Sequence, residues 1–461
     1  MGSVGNQKLS ELEAFLKEHP HIPFATPSSP KYAALKEIFI LDCKANPLII
    51  VRPQTAADVS LLVKHAKAQG IKFVIRTGGH SLFGASSIDG AMTIDMRDIV
   101  YVNVEDGNKT AKVGGGILQG ELATKLFEEG LATPIGTIPS VGYVGWAAYG
   151  GYGHLSAHFG LGVDQIVGAM IVDPSGNITD ADEKLLRGIK GAGGIFGVIV
   201  EVTVRVLAGS LIFESSDISA AFKKLNIGYR ELSAQGLPSE LVVQQMIVNS
   251  PYGIALVFGF TWSSEDIETG RAWLSKCEAL GTIVMNTVAE TTLPDMLREA
   301  QAMVPLAVHG SIRTHSLRAM TEEVTAAVSP FLEKLPSDPG TMFVVHELRG
   351  PSAKPTKESV FGSREPHFML EIIGCTLKQE ARDASVEWSG SMWEALDKTD
   401  RKNILPETYI SLDPPGESPG QTPLAKIFGS HDTDVVALKQ EYDATNVFDL
   451  AIPRLVNYSV S

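Results

Sequence analysis

The segment from residue 136 to residue 162 restricts the possible folds of this chain more than any other. Glycines recur throughout it, and the residues between them are mostly apolar or aromatic, in the order GTIPSVGYVGWAAYGGYGHLSAHFGLG. A flexible glycine-rich linker would carry polar residues between its glycines. Glycine among apolar residues instead indicates a backbone that a neighbour approaches closely. We therefore expect this segment to be buried against a large flat ligand.

The order of predicted strands and helices divides the chain in two. A chain of 461 residues is too long for one ordinary core. In the first 205 residues, short apolar strands alternate with amphipathic helices, which is typical of α/β structure. After residue 210, longer antiparallel-looking strands predominate, at residues 241–248, 253–261, 341–348 and 366–374.

These patterns predict an α+β fold of two domains and a C-terminal segment. We place the first domain at residues 1–209, with its core at about 43–209, and the second domain, built on an antiparallel sheet, at residues 210–420. A stretch rich in proline and glycine, 413–422, then precedes a final helix at 433–442. The C-terminal segment is therefore residues 421–461.

Arg76, Thr77, Gly78, Gly79 and His80 follow directly on an apolar strand. Paired glycines at the end of a strand leave backbone N–H groups free to face an anion, as in a pyrophosphate cradle. The spacing GxGxxG of the common dinucleotide motif does not occur here. A histidine after such a turn is more often structural than functional when it is taken alone, so the local sequence leaves both roles of His80 open.

Four segments, in this order, resemble the berberine-bridge-enzyme-like flavoproteins of the vanillyl-alcohol-oxidase superfamily. They are residues 53–59 with 74–80, residues 136–162, residues 191–197, and Phe428-Gly429 with residues 442–448. Together they span nearly the whole chain. The resemblance implies a PCMH-type FAD-binding domain, a substrate domain on an antiparallel sheet, and a C-terminal segment that returns to the FAD-binding domain.

The resemblance also implies which residues hold FAD. In the family, the histidine after the Gly-Gly pair bonds to the 8α-methyl group of the flavin ring, and here that histidine is His80. The redox chemistry belongs to the cofactor, which the protein orients and tunes. The other cofactor contacts that the resemblance implies are Arg76, Thr77, Gly78, Gly79, Ser81, Gly136, Ser140, Val141, Gly142, Gly145, Gly197, Val198 and Asn446.

One position departs from the family pattern and changes the expected linkage. Many members attach the flavin a second time, through a cysteine in the second segment. The matching position here is Ile138, and isoleucine cannot form a thioether. The three cysteines of the chain, Cys43, Cys277 and Cys375, lie elsewhere. We therefore predict a single covalent bond, through His80. The cysteines form no CxxC pair and no cluster with histidine, so we expect no metal site.

Glu371 is the leading candidate for a catalytic base. Strand alternation in residues 367–372 places His367, Met369 and Glu371 on one face. A carboxylate within an apolar strand is costly to bury unless it is paired or functional. A base is needed to take the proton from a substrate hydroxyl or amine. The alternative for Glu371 is a salt-bridged or solvent-facing glutamate.

Two further positions bear on the substrate pocket. Tyr409 matches a tyrosine of the family's last substrate-domain strand, so it would either orient the substrate or form part of the wall. Leu82 stands where many relatives have a tyrosine, which favours a more apolar pocket.

We therefore expect an FAD-linked oxidase of secondary metabolism. It would oxidise a small molecule by hydride transfer to covalently bound flavin and pass the electrons to dioxygen. The alternative is a flavin-containing cyclase of a natural-product pathway, in which the pocket shapes an oxidative or pericyclic ring closure. A flavin-bearing protein without turnover is a third interpretation.

Charge and hydropathy limit the possible partners. The net charge is −14 and no basic face is evident, which disfavours nucleic-acid binding. No stretch of about 18 apolar residues is present, so we expect no membrane span. The first residues contain no apolar signal region, and we therefore expect a cytoplasmic location. The sequence leaves the oligomeric state open.

Overall fold

The computed structural model describes residues 3–105, 110–204, 211–213, 217–250, 253–264, 266–288, 292–412, 423–453 and 455. The domain boundaries predicted after residues 209 and 420, and the predicted segment 413–422, lie outside these residues. Within the described part of the chain, no helix is long and apolar enough to cross a membrane. Nor do three His, Cys, Asp or Glu side chains meet there in a group that could hold a metal ion.

Several helices begin at capping residues that the sequence offers. Thr55 is the clearest case: its hydroxyl accepts from the Asp58 backbone N–H, and the Asp58 carboxylate accepts from the Thr55 N–H in return. The α-helices are α1 (Ser3–Lys17), α2 (Tyr32–Lys36), α3 (Ala56–Ala68), α4 (Gln119–Glu128), α5 (Tyr143–Ala148), α6 (Ser156–Phe159), α7 (Gly162–Gln165), α8 (Glu183–Ala192), α9 (Ile218–Ser233), α10 (Ile267–Glu278), α11 (Leu293–Met303), α12 (Glu322–Leu332), α13 (Arg382–Asp397), α14 (Leu424–Phe428) and α15 (Asp432–Tyr442).

The strands of the described residues form three sheets, of four, five and six strands. They are β1 (Phe24–Ala25), β2 (Ile49–Val51), β3 (Phe73–Arg76), β4 (Met92–Asp95), β5 (Val102–Val104), β6 (Ala111–Gly114), β7 (Gly168–Val172), β8 (Ile178–Asp180), β9 (Val198–Val204), β10 (Leu211–Phe213), β11 (Leu241–Ser250), β12 (Gly253–Trp262), β13 (His309–Leu317), β14 (Thr341–Leu348) and β15 (His367–Thr376).

Two sheets belong to the first half of the chain. The four-stranded sheet has the order β1-β2-β4-β3, and β4 runs parallel to both β2 and β3. Helix α3 connects β2 to β3, as strands of the same direction require. The five-stranded sheet, β5-β6-β9-β7-β8, is antiparallel throughout. The predicted alternation of strands and helices therefore corresponds to one mixed sheet and one antiparallel sheet.

The six-stranded sheet, β10-β12-β11-β14-β15-β13, is also antiparallel throughout. Its four predicted strands agree with the structure to within about two residues at each end. Val345 and Ile372 pack on one face of the sheet against helices, with Phe222 and Trp388 among their neighbours. The α+β fold with a second domain on an antiparallel sheet is confirmed, and the opposite face of this sheet is left for the site.

Tyr409 does not lie in a strand, which corrects the prediction made for it. The chain makes a single bridge at Ile404, with Leu317, and then runs irregularly through Tyr409. Pro406 follows two residues after the bridge and has no N–H to continue a ladder. The tyrosine is nevertheless buried.

Residues near both ends of the chain connect the sheets. Phe428, Val435 and Leu438 from the last helices share a core with Tyr143 and Phe196 of the first half. Near the other end, residues 39–41 run beside the start of β13. There the Leu41 N–H donates to the Val308 carbonyl (2.8 Å), and the Val308 N–H donates to the Phe39 carbonyl (2.9 Å).

Candidate active site

A cavity of about 500 Å³ lies where the loops of the first half of the chain meet the open face of the six-stranded sheet. Its lining includes the pair of loops around residues 77–86 and 136–149, the sheet face, and the segment from Phe448 to Ile452. Phe39, Gln119, and residues near 194–199, 304–308 and 409–412 also line it. A pocket at a junction of domains is the usual place for a cofactor and its substrate.

His80 lines this cavity and is half-buried. Its Nε2 atom lies 3.0 Å from Ser140 Oγ, and its ring stacks on Phe39 with 4.5 Å between the ring centroids. Burial lowers the pKa of His80 from 6.5 to about 4. The imidazole is therefore neutral at physiological pH, which is the form that can act as a nucleophile.

The loop that carries His80 packs backbone to backbone against the loop at residues 140–142. A Cβ atom placed on Gly78 would lie 2.4 Å from the Gly142 backbone nitrogen, and one on Gly142 would lie 2.6 Å from the Thr77 side chain. No side chain fits at either position, so both loops need glycine there for close approach. The two loops therefore approach each other closely beside His80.

The cavity suits a flat ring with polar edges. Gly145 and Gly194 both line it, and a Cβ added to either would meet nothing within 4 Å, so bare backbone faces open space there. Gln119 also lines it, and its buried Nε2 donor has no partner among the described residues, while its Oε1 accepts from the Gly136 N–H. A buried donor without a partner is costly unless a ligand completes it. These residues fit the isoalloxazine ring of FAD.

Most of the cofactor contacts predicted from the sequence line the cavity, and three do not. Arg76 is 1% exposed and donates to Asp95 in the interior, Ser140 reaches the site only through its contact with His80, and Asn446 lies just before the lining segment 448–452. The predicted residues that do line it are Thr77, Gly78, Gly79, His80, Ser81, Gly136, Val141, Gly142, Gly145, Gly197 and Val198.

The position expected for a second attachment is occupied by an apolar side chain. Ile138 lines the cavity, as its place in the sequence predicted. Cys375 lines it too, but from the sheet, where burial raises the pKa of its thiol to about 12. A thiol held in its protonated form is a poor nucleophile. Cys43, half-buried, and Cys277, buried, are not among the cavity-lining residues.

A row of hydrogen-bonded polar side chains crosses the sheet face of the cavity. Gln244 in β11 lies directly opposite His346 in β14, and Glu371 in β15 lies diagonally beyond it. His346 Nε2 is 3.0 Å from Glu371 Oε1, and the Gln244 amide nitrogen is 3.3 Å from each ring nitrogen of His346. A carboxylate only accepts, so His346 donates to it. One Glu371 oxygen is thereby held in place.

The structure places Glu371 in the cavity, on the face that strand alternation predicted. Its side chain is 22% exposed and paired with His346, so it is a paired glutamate, which the alternative interpretation allowed, and not a solvent-facing one. Sequence reasoning missed His346 and Gln244. The signal for His346 was present, because a histidine interrupts the apolar strand at residues 341–348 just as Glu371 interrupts its own strand. The sequence of neither strand predicts that the two strands pair and bring His346 next to Glu371.

Two buried tyrosines stand beside this row. Tyr409 and Tyr152 both line the cavity, with 4.9 Å between their ring centroids. Burial raises the pKa of Tyr409 to about 12, so its hydroxyl is protonated at neutral pH. Tyr152 Oη lies 3.0 Å from His367 Nε2. The other ring nitrogen of His367 donates to the Glu365 carbonyl (2.7 Å), so Tyr152 is the donor to His367.

Comparison with known proteins agrees with this geometry. The family model described as FAD binding domain matches residues 47–182. The FAD-linked oxidoreductase aurO of Gibberella zeae is 31% identical over 454 residues, which cover 96% of this chain and 87% of that protein.

Two solved structures share the fold over nearly the whole chain. BBE-like 1 of Physcomitrella patens superimposes with a TM-score of 0.80 at 21% identity, over 99% of this chain and 100% of that chain. The glucooligosaccharide oxidase of Acremonium strictum, described with a 6-S-cysteinyl, 8α-N1-histidyl FAD, superimposes with a TM-score of 0.80 at 17% identity, over 96% and 97%.

Proposed function

We propose that this chain, which belongs to the berberine-bridge-enzyme-like FAD-linked oxidoreductases, oxidises a small secondary-metabolite alcohol or amine. It holds FAD covalently through His80 alone and uses dioxygen as the electron acceptor. The observation that carries the proposal is that His80 and Glu371 line one cavity, one on the loop side and the other on the sheet side.

His80 supports the covalent bond through its position and its protonation. It lies in the cavity as a neutral imidazole, oriented by Phe39 on its face and by Ser140 at Nε2. Close packing of the backbone at Gly78 and Gly142 shapes the wall of the cofactor site, and the open space at Gly145 and Gly194 leaves room for the ring. Ile138 in place of a cysteine leaves His80 as the single point of attachment.

Glu371 takes the proton of the substrate. FAD held at this site would supply a hydride acceptor for the substrate carbon and a route for the electrons to dioxygen. The substrate hydroxyl or amine must lose a proton as this happens. Glu371 is the one carboxylate among the described residues that line the cavity. His346 holds one of its oxygens, which leaves the other oxygen for the substrate.

Tyr409 orients the substrate rather than taking its proton. A phenol whose pKa is raised to about 12 keeps its proton at neutral pH and can donate a hydrogen bond. The Tyr152 hydroxyl already donates its hydrogen bond to His367, so its oxygen is available to a substrate only as an acceptor. Together with Glu371, these groups supply donors and acceptors at one end of the cavity.

The covalent bond is tested by acid precipitation of the purified protein. The flavin should stay with the pellet of the natural protein and wash out of the His80→Ala variant. Matched variants at Cys43, Cys277 and Cys375 should all keep their flavin, because none of these residues takes part in the attachment. Complete loss of flavin from the natural protein, or its retention by His80→Ala, would contradict the single link through His80.

The reaction class is tested by anaerobic mixing with candidate alcohols and amines. Loss of the visible absorbance of oxidised flavin, followed by hydrogen peroxide on admission of air, is the result expected of an oxidase. Product formation without loss of that absorbance and without oxygen uptake would instead assign a cyclase. Reduction of the flavin without peroxide formation would remove dioxygen as the acceptor and leave a dehydrogenase.

A further inference from the structure

The sheet face of the cavity is divided into a polar end and an apolar body. Gln244 is paired across the strands with His346, and Glu371 is paired with Val344, two residues further along β14. Beyond Glu371, every described cavity-lining side chain of the sheet is apolar or a thiol: Met246, Val344, Met342, Ile373, Ile312 and Cys375. Because two residues along a strand span about 7 Å, Gln244, His346 and Glu371 lie close together at one end of the sheet face. They can therefore contact only one end of a substrate.

The wall facing this apolar body is apolar as well. Phe39, Leu82, Val308 and Leu412 line the cavity and pack in one cluster with residues of the sheet, including Ile312. Leu82 thus contributes an apolar side chain to the cavity wall. Methionines at positions 246 and 342 add side chains that adapt to the shape of a ring.

The cavity wall offers no permanent positive charge to an anionic substrate. Among the described residues that line it there is no lysine and no arginine, and Glu371 is the one carboxylate. The backbone N–H groups of β11, β14 and β15 are used in the ladder between these strands, unlike those of the glycine loops. A carboxylate or phosphate held over the sheet would find neither a cation nor a free N–H. Burying an unpaired anion there is strongly unfavourable.

An oligosaccharide is disfavoured for a related reason. Each sugar ring carries several hydroxyl groups, and each one that loses water without gaining a partner costs free energy. The row around Met342, Ile373 and Ile312 offers no polar side chain to replace that water. An apolar ring, by contrast, gains from burial against the same surface.

We propose that the substrate is a largely apolar ring compound, neutral or cationic, whose one oxidisable hydroxyl or amine lies at Gln244, His346 and Glu371, and that anions and oligosaccharides are excluded. This inference rests on the proposed function, since it describes the substrate of the same cavity. It assigns specificity to Met342, Val344 and Ile373, none of which takes part in proton transfer.

Binding is measured as the change in the flavin spectrum on titration, after the flavin content has been established. The probes are naphthylethanol, naphthylethylamine, naphthylglycolate as the matched anion, and cellobiose. The alcohol and the amine should bind, the carboxylate should bind weaker by roughly a hundredfold or more, and cellobiose should not bind. Equal binding of the carboxylate or the sugar would overturn the inference, as would no binding of the neutral alcohol up to its solubility limit.

A positive charge placed in the apolar body should shift the binding preference from the amine toward the carboxylate. Met342→Lys supplies the missing cation, so naphthylglycolate should bind roughly tenfold tighter or more, and naphthylethylamine should bind more weakly. Val284→Lys is the matched control, because Val284 is 64% exposed and does not line the cavity. If Met342→Lys left the ratio of the carboxylate and amine affinities unchanged, the inference would be overturned. A preparation that carries no flavin would contradict the proposed function itself, before any titration.

Discussion

His346 Nε2 donates a 3.0 Å hydrogen bond to Glu371 Oε1 across the neighbouring strands β14 and β15. The bond leads to the first prediction. Glu371→Gln keeps the shape of the side chain and removes its capacity to take a proton. Reduction of the flavin by substrate under anaerobic conditions should slow by roughly 10²–10⁴-fold, with unchanged flavin content. Glu358→Gln is the control, since that side chain is 85% exposed. Equal rates in the two variants would remove Glu371 as the base.

The protonation of His80 predicts the pH dependence of flavin attachment. Burial lowers its pKa from 6.5 to about 4, so the folded protein favours the neutral imidazole. Between pH 4 and pH 6.5, a free histidine is mostly protonated and His80 is mostly neutral. Flavin-free protein from riboflavin-starved cells should therefore attach added FAD at pH 5 nearly as fast as at pH 7, and much more slowly below about pH 4. Fluorescence of the denatured protein band measures the attachment. A loss of rate centred at pH 6.5 would contradict the buried neutral form.

A single methyl group at Gly145 should have opposite effects on folding and on flavin binding. Gly145 lies in helix α5, and a Cβ there meets no protein atom within 4 Å, so alanine should stabilise the flavin-free chain by up to about 1 kcal/mol. The same methyl group points into the space assigned to the ring and should lower the flavin content. Gly390→Ala, in helix α13 with Arg313 at an ordinary contact distance, should stabilise without loss of flavin. Full flavin content in Gly145→Ala would place the ring elsewhere.

The buried ion pair behind the His80 loop predicts a large effect on stability. Arg76 is 1% exposed and donates to Asp95, which is fully buried. Asp95→Asn leaves the guanidinium in the interior without a counter-charge and should lower the free energy of unfolding by about 3–5 kcal/mol. Asp397→Asn, which breaks the pair with the exposed Arg401, should cost no more than about 1 kcal/mol. Denaturant titration measures the free energy of unfolding of both variants. Similar losses in the two would show that the buried pair contributes no more to stability than the exposed one.

Local patterns predicted the elements of this fold and the residues near each motif. Alternation along residues 367–372 placed Glu371 and Met369 on one face, because side chains of a strand alternate whatever it pairs with. The two loops that approach at Gly78 and Gly142 could likewise be recognised, since each carries its own glycines. Both results depend only on residues close together in the chain.

The partners of Glu371 could not be predicted in this way. Gln244, His346 and Glu371 come from three strands whose register is set by pairing between segments far apart in sequence. The expected strand at Tyr409 failed for a similar reason, because the family's pattern continues a ladder that ends here at Ile404. Asn446 lies two residues before Phe448, where the C-terminal segment lines the cavity.

Side chains of β11, β14 and β15 alternate between the helix-covered face and the cavity face, so substitutions in these strands are of two kinds. Residues such as Phe343, Val345 and Ile372 face the helices and pack in the core of the domain, while Met246 and Met342 face the cavity and are not part of that core. Substitutions at the second set can alter which molecule enters without loosening the core, and without touching His80 or the loops around it. A lineage built on this sheet can acquire new substrates one side chain at a time while it keeps the same electron-transfer chemistry.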